Sequence, residues 1–159
     1  MIQAEIQNLI REVLEKVTLP AQNISIEEGK PGESAWFSVE VSEPHYFLAR
    51  GGEGLSALNH LIRKITESRS GDTEVGEILV DIGGFQKKRI ESVRAIAHMM
   101  AERARYFKSN IEIDPMPAFE RRIVHEFLSG EKDLKTESEG TGATRRVIIK
   151  YLGDPGMTI

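Results

Sequence analysis

Pro115-Met116-Pro117-Ala118-Phe119-Glu120-Arg121-Arg122-Ile123-Val124-His125-Glu126-Phe127-Leu128, followed after a short acidic turn by Leu134-Lys135-Thr136-Glu137-Ser138-Glu139-Gly140-Thr141-Gly142-Ala143-Thr144-Arg145-Arg146-Val147-Ile148-Ile149-Lys150, is the stretch whose reading decides this fold. Pro117 suits a first helical position, where its missing N–H is no loss. Glu120 falls in the first turn, where a negative charge meets the positive helix end. Ile123, Phe127 and Leu128 recur at helical spacing, with Phe119 one turn before Ile123. Ser129-Gly130 ends the helix, and the β-branched run Val147-Ile148-Ile149 is expected to be a strand.

On such a helix Arg121 and His125 stand four residues apart and project from one face. A guanidinium can fork onto a phosphate, and an imidazole can donate a hydrogen bond or stack on a base. The plain alternative is that Arg121 pairs with a carboxylate and His125 is a half-buried packing residue. Arg122 is a second phosphate contact or the partner of Glu126, four residues on. Arg145 and Arg146 alternate sides of a strand, so at most one shares a face with Arg121.

The bulk properties set limits. A chain of 159 residues holds one domain or two small ones. It has no cysteine, which excludes disulfides, thiolate metal sites and a cysteine nucleophile. No apolar run is long enough to span a bilayer and no signal peptide is recognisable, so the cytoplasm is the expected compartment. The net charge of −4 is unevenly spread. Residues 1–83 carry 7 basic and 14 acidic side chains, leaving 14 basic and 11 acidic for residues 84–159. A polyanion-binding face is therefore expected in the second half.

In chain order, Ile2, Ile6, Ile10, Val13, Leu14 and Val17 mark a first helix. Residues 23–28 and 35–41 read as strands joined by Gly29-Lys30-Pro31-Gly32. A short helix from His45 runs into Ala49-Arg50-Gly51-Gly52, and Leu55, Leu58, Leu61, Ile62 and Ile65 mark the helix after it. Residues 77–82 form a third strand, and Gly83-Gly84 is the expected domain junction. A long helix over 86–108 has Ile90, Val93, Ile96, Ala97, Met100, Ala104 and Phe107 as its inner stripe. Ile111-Glu112-Ile113 alternates like a strand.

Two further basic sites stand out. The Arg50-Gly51-Gly52 loop either clamps a nucleic-acid backbone, with Arg50 on phosphate, or is a structural turn. Lys87-Lys88-Arg89 opens the long helix, where cations oppose the positive helix end. That violation hints at phosphate binding, the alternative being solvation or pairing with Glu91. Trp36 is a stacking platform or sheet packing. Catalysis is not expected, and neither is a metal or cofactor. His45, His60, His98 and His125 are scattered without metal-ligand spacing, and there is no nucleophile elbow.

The run Glu120-Arg121-Arg122-Ile123-Val124-His125, after Pro115-Met116-Pro117 and before Thr136-x-Ser138-x-Gly140 and Arg145-Arg146-Val147, resembles the R-3-H domain, named for its arginine, three intervening residues and histidine. More closely, it resembles the C-terminal half of the Jag (SpoIIIJ-associated) family of bacteria. The hydroxyls of Thr136 and Ser138 either bind phosphate or fix the turn, and turn-fixing is the leading expectation. The order of the first half resembles a type II KH fold, which extends the likeness back to about Met1. Ala49 stands at that fold's first glycine position.

The resemblance implies an α+β chain of two small domains. These are a KH-like domain over 1–83 (α-β-β-α-α-β) and an R-3-H domain over 84–152, its helices packed on a small three-stranded sheet, with a flexible tail over 153–159. The extra N-terminal domain of longer family members is expected to be missing. The pattern favours Arg145 over Arg146 and includes Arg89. It implies binding of single-stranded RNA or DNA, a regulatory role in cell elongation and division, and a small KH-only protein as partner. The competing expectation is a protein-interaction adaptor whose KH-like half has lost RNA binding.

Overall fold

A computed structural model describes residues 3–27, 35–71 and 76–154. The turn at Gly29-Lys30-Pro31-Gly32 and the tail beyond residue 154 lie outside the described residues. The chain divides into two compact units, Met1–Lys87 and Lys88–Ile159. Both are small α+β structures.

Unit 1 contains α1 (Gln3–Lys16), β1 (Ala21–Glu27), β2 (Ala35–Val41), α2 (His45–Ser70) and β3 (Ile78–Ile82). Its sheet has the order β1-β2-β3, with β1 antiparallel and β3 parallel to β2. Residues Ala49 to Gly52 leave helical geometry and break α2 in two, which gives the α-β-β-α-α-β order of the type II KH arrangement. Alternation sends Ile24, Phe37, Val39, Val80 and Ile82 to one sheet face. There they meet Ile6, Leu9, Ile10 and Leu14 of α1, and Leu55, Leu58 and Ile62 of α2. Each fully buried large apolar side chain contributes about 1.5–3 kcal/mol. Leu9 joins the α1 stripe, whereas Val17, expected inside, is exposed beyond the end of the helix.

The middle of the free edge of β3 is occupied by one side chain. Asn59 of α2 accepts from the Val80 N–H at 2.8 Å and donates to the Val80 carbonyl at 2.9 Å.

Unit 2 takes up most of α3 (Phe85–Phe107), then β4 (Ile111–Glu112), α4 (Ala118–Leu128), β5 (Leu134–Glu139), a short 3-10 turn (Gly142–Thr144) and β6 (Arg146–Tyr151). The antiparallel sheet has the order β4-β6-β5. Val147 and Ile149 of β6, Leu134 of β5 and Ile113 pack with Val93, Ala97, Ala101 and Ala104 of α3 and Ile123, Val124 and Leu128 of α4. The buried line of α3 is thus mainly alanine. Phe107, expected inside, is exposed, as is Phe127, whose expected place in the core is taken by Val124. β5 was not among the strands expected from apolar runs. Its sequence, Leu-Lys-Thr-Glu-Ser-Glu, is polar because it is an edge strand with one apolar anchor, Leu134.

Arg105 ties unit 2 together. Its guanidinium donates to Asp133 at 2.7 and 2.9 Å, to Glu102 at 2.8 Å and to Glu131 at 2.8 Å. These hydrogen bonds raise its pKa further, and in turn hold the Asp133 carboxyl below its ordinary range.

Candidate nucleic-acid interface

Pro117 caps α4 with extended backbone geometry, and the helix proper starts at Ala118. The buried positions Ile123, Val124 and Leu128 turn one face of α4 inward. Arg121 and His125 sit at its half-buried margin. The register Thr136↔Ile149 and Ser138↔Val147 places both hydroxyls on the helix-covered face of β5. His125 lies against them: Nδ1 is 2.7 Å from Thr136 Oγ1, and Nε2 is 2.9 Å from Ser138 Oγ. Burial, with the Arg121 charge beside it, lowers the imidazole pKa and favours the neutral ring.

Arg121 is different. Its Nε is buried with no hydrogen-bond partner, and among the described residues no carboxylate pairs with its guanidinium. Buried polar groups are normally satisfied, so the unmatched Nε–H of this half-buried cation stands out. The pair is neither sealed in the interior nor neutralised.

The two arginines before the last strand part company. Arg146 opens β6 opposite Glu139, on the face away from α4, and donates to Glu112 at 3.0 Å. That outer face also carries Lys150 and Lys135, both ion-paired with Glu137. Arg145 is extended, so alternation puts it on the α4 side. It donates to the Gly140 carbonyl at 2.8 Å, and its own carbonyl accepts from Met116 N–H at the approach to α4. Gly140 has φ +92°, and a Cβ there would lie 3.0 Å from the Thr144 carbonyl oxygen. The tight turn that delivers Arg145 therefore requires glycine.

Other basic residues have partners of their own. Arg122 lies 3.7 Å from Glu126 and its guanidinium stands over the Phe119 ring at 5.6 Å. Arg89 is bonded to Glu120 in the first turn of α4. In unit 1, Lys87 pairs with Glu27 and lies 5.9 Å from the Trp36 ring centre. Lys88 is exposed with no ion pair among the described residues. Two N–H groups at the start of α3, beside these cations, are already occupied. Asp81 at the end of β3 accepts from Gln86 N–H at 2.9 Å and Lys87 N–H at 3.3 Å, capping α3 from within.

The glycine loop of unit 1 is strongly shaped. Arg50, Gly51 and Gly52 all have positive φ, at 54°, 70° and 84°. Gly52 is pressed against the Phe85 ring, whereas Arg50 projects outward, its side chain 85% exposed and 3.9 Å from Glu53.

Thr136 and Ser138, expected chiefly to fix a turn, instead lie within a strand and face His125. Their spacing of two on an alternating polar segment was the available signal. Among the described residues no three His, Asp or Glu side chains gather as a metal would need, and no helix is long and apolar enough to cross a membrane.

Comparison with known proteins agrees with the likeness read outward from Arg121 and His125. Residues 91–151 match the R-3-H domain family. Over 131 residues, 81% of this chain, it is 26% identical to RNA-binding protein KhpB of Bacillus subtilis (strain 168). A KhpB of Clostridium symbiosum is 25% identical over 129 residues. The chain covers 61% and 57% of the lengths of these two curated relatives.

Proposed function

With residues 91–151 forming an R-3-H domain, we propose that this chain binds single-stranded nucleic acid, RNA in the first place, through the Arg121 side of unit 2. The observation that carries the reading is the Arg121 guanidinium, half-buried one turn from His125 with no carboxylate neutralising it among the described residues. Arg145, delivered to the same side by the Gly140 turn, is the second cation of the grip. Arg122 and Lys88 add charge. Lys87, Arg89 and Arg146, each with a carboxylate neighbour, serve the long-range field more than contact. Binding dominated by guanidinium–phosphate contacts is weakly base-selective and falls steeply with salt.

Unit 1, with its KH-like order, either contributes Arg50, Gly51 and Gly52 as a backbone clamp or docks a protein. The docking reading is favoured by one observation: Gly52 is filled from behind by Phe85, which gives the glycine a packing role independent of any ligand. A small KH-only protein fits such a partner. The name of the KhpB relatives, an RNA-binding protein, supports RNA as the ligand. The Jag resemblance implies a cytoplasmic regulator of cell elongation and division that acts by binding rather than catalysis.

Fluorescence anisotropy with labelled single-stranded RNA and DNA at two salt concentrations tests this. Arg121→Ala is expected to weaken binding about tenfold or more and to flatten the log–log salt slope by roughly 0.7, the loss of one phosphate contact. Failure of the unaltered chain to bind either oligonucleotide at low salt would sink the reading and leave the adaptor in its place.

A further inference from the structure

Taking that binding reading as given, we propose that His125 does not touch the nucleic acid. It is a positioning residue that holds Thr136 and Ser138 so that a hydroxyl proton, beside the Arg121 guanidinium, is offered to one backbone phosphate. The chemistry of the ring leads there. A neutral imidazole has one N–H to donate and one lone pair to accept with. Both are engaged in His125, at 2.7 Å by Thr136 and at 2.9 Å by Ser138. A hydroxyl has one proton and two lone pairs. The hydroxyl that accepts the ring N–H keeps its own proton, whereas its neighbour spends its proton on the bare ring nitrogen. One ring thus fixes the O–H of the donating hydroxyl and turns the other O–H away from the ring. Which hydroxyl is left free follows from the tautomer.

The surroundings favour this division of labour over a cationic histidine gripping phosphate. Arg121, one turn before His125 on α4, opposes a second positive charge, and so does burial of the ring. Arg145 lies on the same side of the sheet by alternation. Among the described residues the sheet strands beside His125 put no carboxylate on that face: Glu137 and Glu139 of β5 point to the opposite one with Lys135, as do Arg146 and Lys150 of β6. On α4, Glu126 lies beside Arg122. The anion-binding set is therefore Arg121 and whichever of the Thr136 and Ser138 hydroxyls keeps its proton, oriented by a ring that stays neutral.

The test uses the full chain and a fluorescein-labelled oligouridylate. His125→Ala is expected to weaken binding about tenfold, and Ser138→Ala or Thr136→Val to do so by several-fold, the usual effect of one hydrogen bond to a charged group. His125→Gln, whose amide has a donor and an acceptor to offer the two hydroxyls, is expected to stay within about threefold of the unaltered chain. Affinity at constant salt should be flat between about pH 6 and 8, and the salt slope of His125→Ala should equal that of the unaltered chain, because no charge is lost.

The idea is overturned if affinity climbs as pH falls through the imidazole range and His125→Gln abolishes the climb. It is equally overturned if a folded His125→Gln is as weak as His125→Ala, or if the His125→Ala slope drops as that of Arg121→Ala does. Should His125→Ala fail to fold, the pH profile and His125→Gln decide alone. Loss of binding by the unaltered chain, or indifference to Arg121→Ala, refutes the binding reading instead.

Discussion

Gly52→Ala is the most informative single change in unit 1. The residue sits at φ +84°, where an L side chain costs about 1–2 kcal/mol. Its new Cβ would lie 2.6 Å from Phe85 Cε1 and 3.0 Å from Cζ, closer than carbon atoms tolerate. Phe85 packs against the core of unit 1, so moving its ring disturbs that core, and overpacking of this kind costs about 1–3 kcal/mol. The expected total is about 2–5 kcal/mol, a large share of the roughly 4–13 kcal/mol that a unit of this size has to lose. The chain's single tryptophan, Trp36, lies on β2, so its fluorescence during urea unfolding reports on unit 1. The midpoint should fall by about 1–3 M. In a Phe85→Leu background, which lacks the colliding ring atoms, Gly52→Ala should cost only the backbone share of about 1–2 kcal/mol. A midpoint unchanged by Gly52→Ala, or an equal loss with and without the ring, would refute the assignment of this glycine to packing.

Two further outcomes concern unit 2. Arg105→Ala should destabilise it by about 1–3 kcal/mol, read by amide hydrogen exchange in β5 and α4, because Asp133 and Glu131 lose their common partner. The share owed to Asp133, whose folded pKa lies below 3.8, is present above that value and is lost as pH falls through the lower folded one. The folded pKa of His125 is likewise depressed below 6.5. The unfolded chain therefore binds the extra proton first, and stability present above pH 6.5 declines as pH falls toward the folded value. Urea titrations between about pH 7.5 and 5 should show this slope in the unaltered chain and lack it in His125→Gln.

Periodicity made most of the architecture legible. The α1 stripe, the alternation of β1 and β2, and the β-branched Val147-Ile148-Ile149 each state their partner faces in the sequence. Arg121 and His125 were legible as a pair because a helical spacing of four is unambiguous. β5 was not, since an edge strand needs only one apolar anchor and its remaining positions look like any solvated segment. The functions of Asp81 and Arg105 were also hidden. Asp81 caps a helix that begins beyond the next turn of the chain, and Arg105 meets acids that lie past α4. Pairings of that kind depend on the finished packing, and no local pattern encodes them.

Asn59 has a bearing on assembly. Its amide satisfies both backbone groups that Val80 would otherwise offer sideways. A visiting polypeptide arriving along β3 finds no unspent N–H and no bare carbonyl at the middle of that rim. Strand addition along β3 is thus interrupted at its centre.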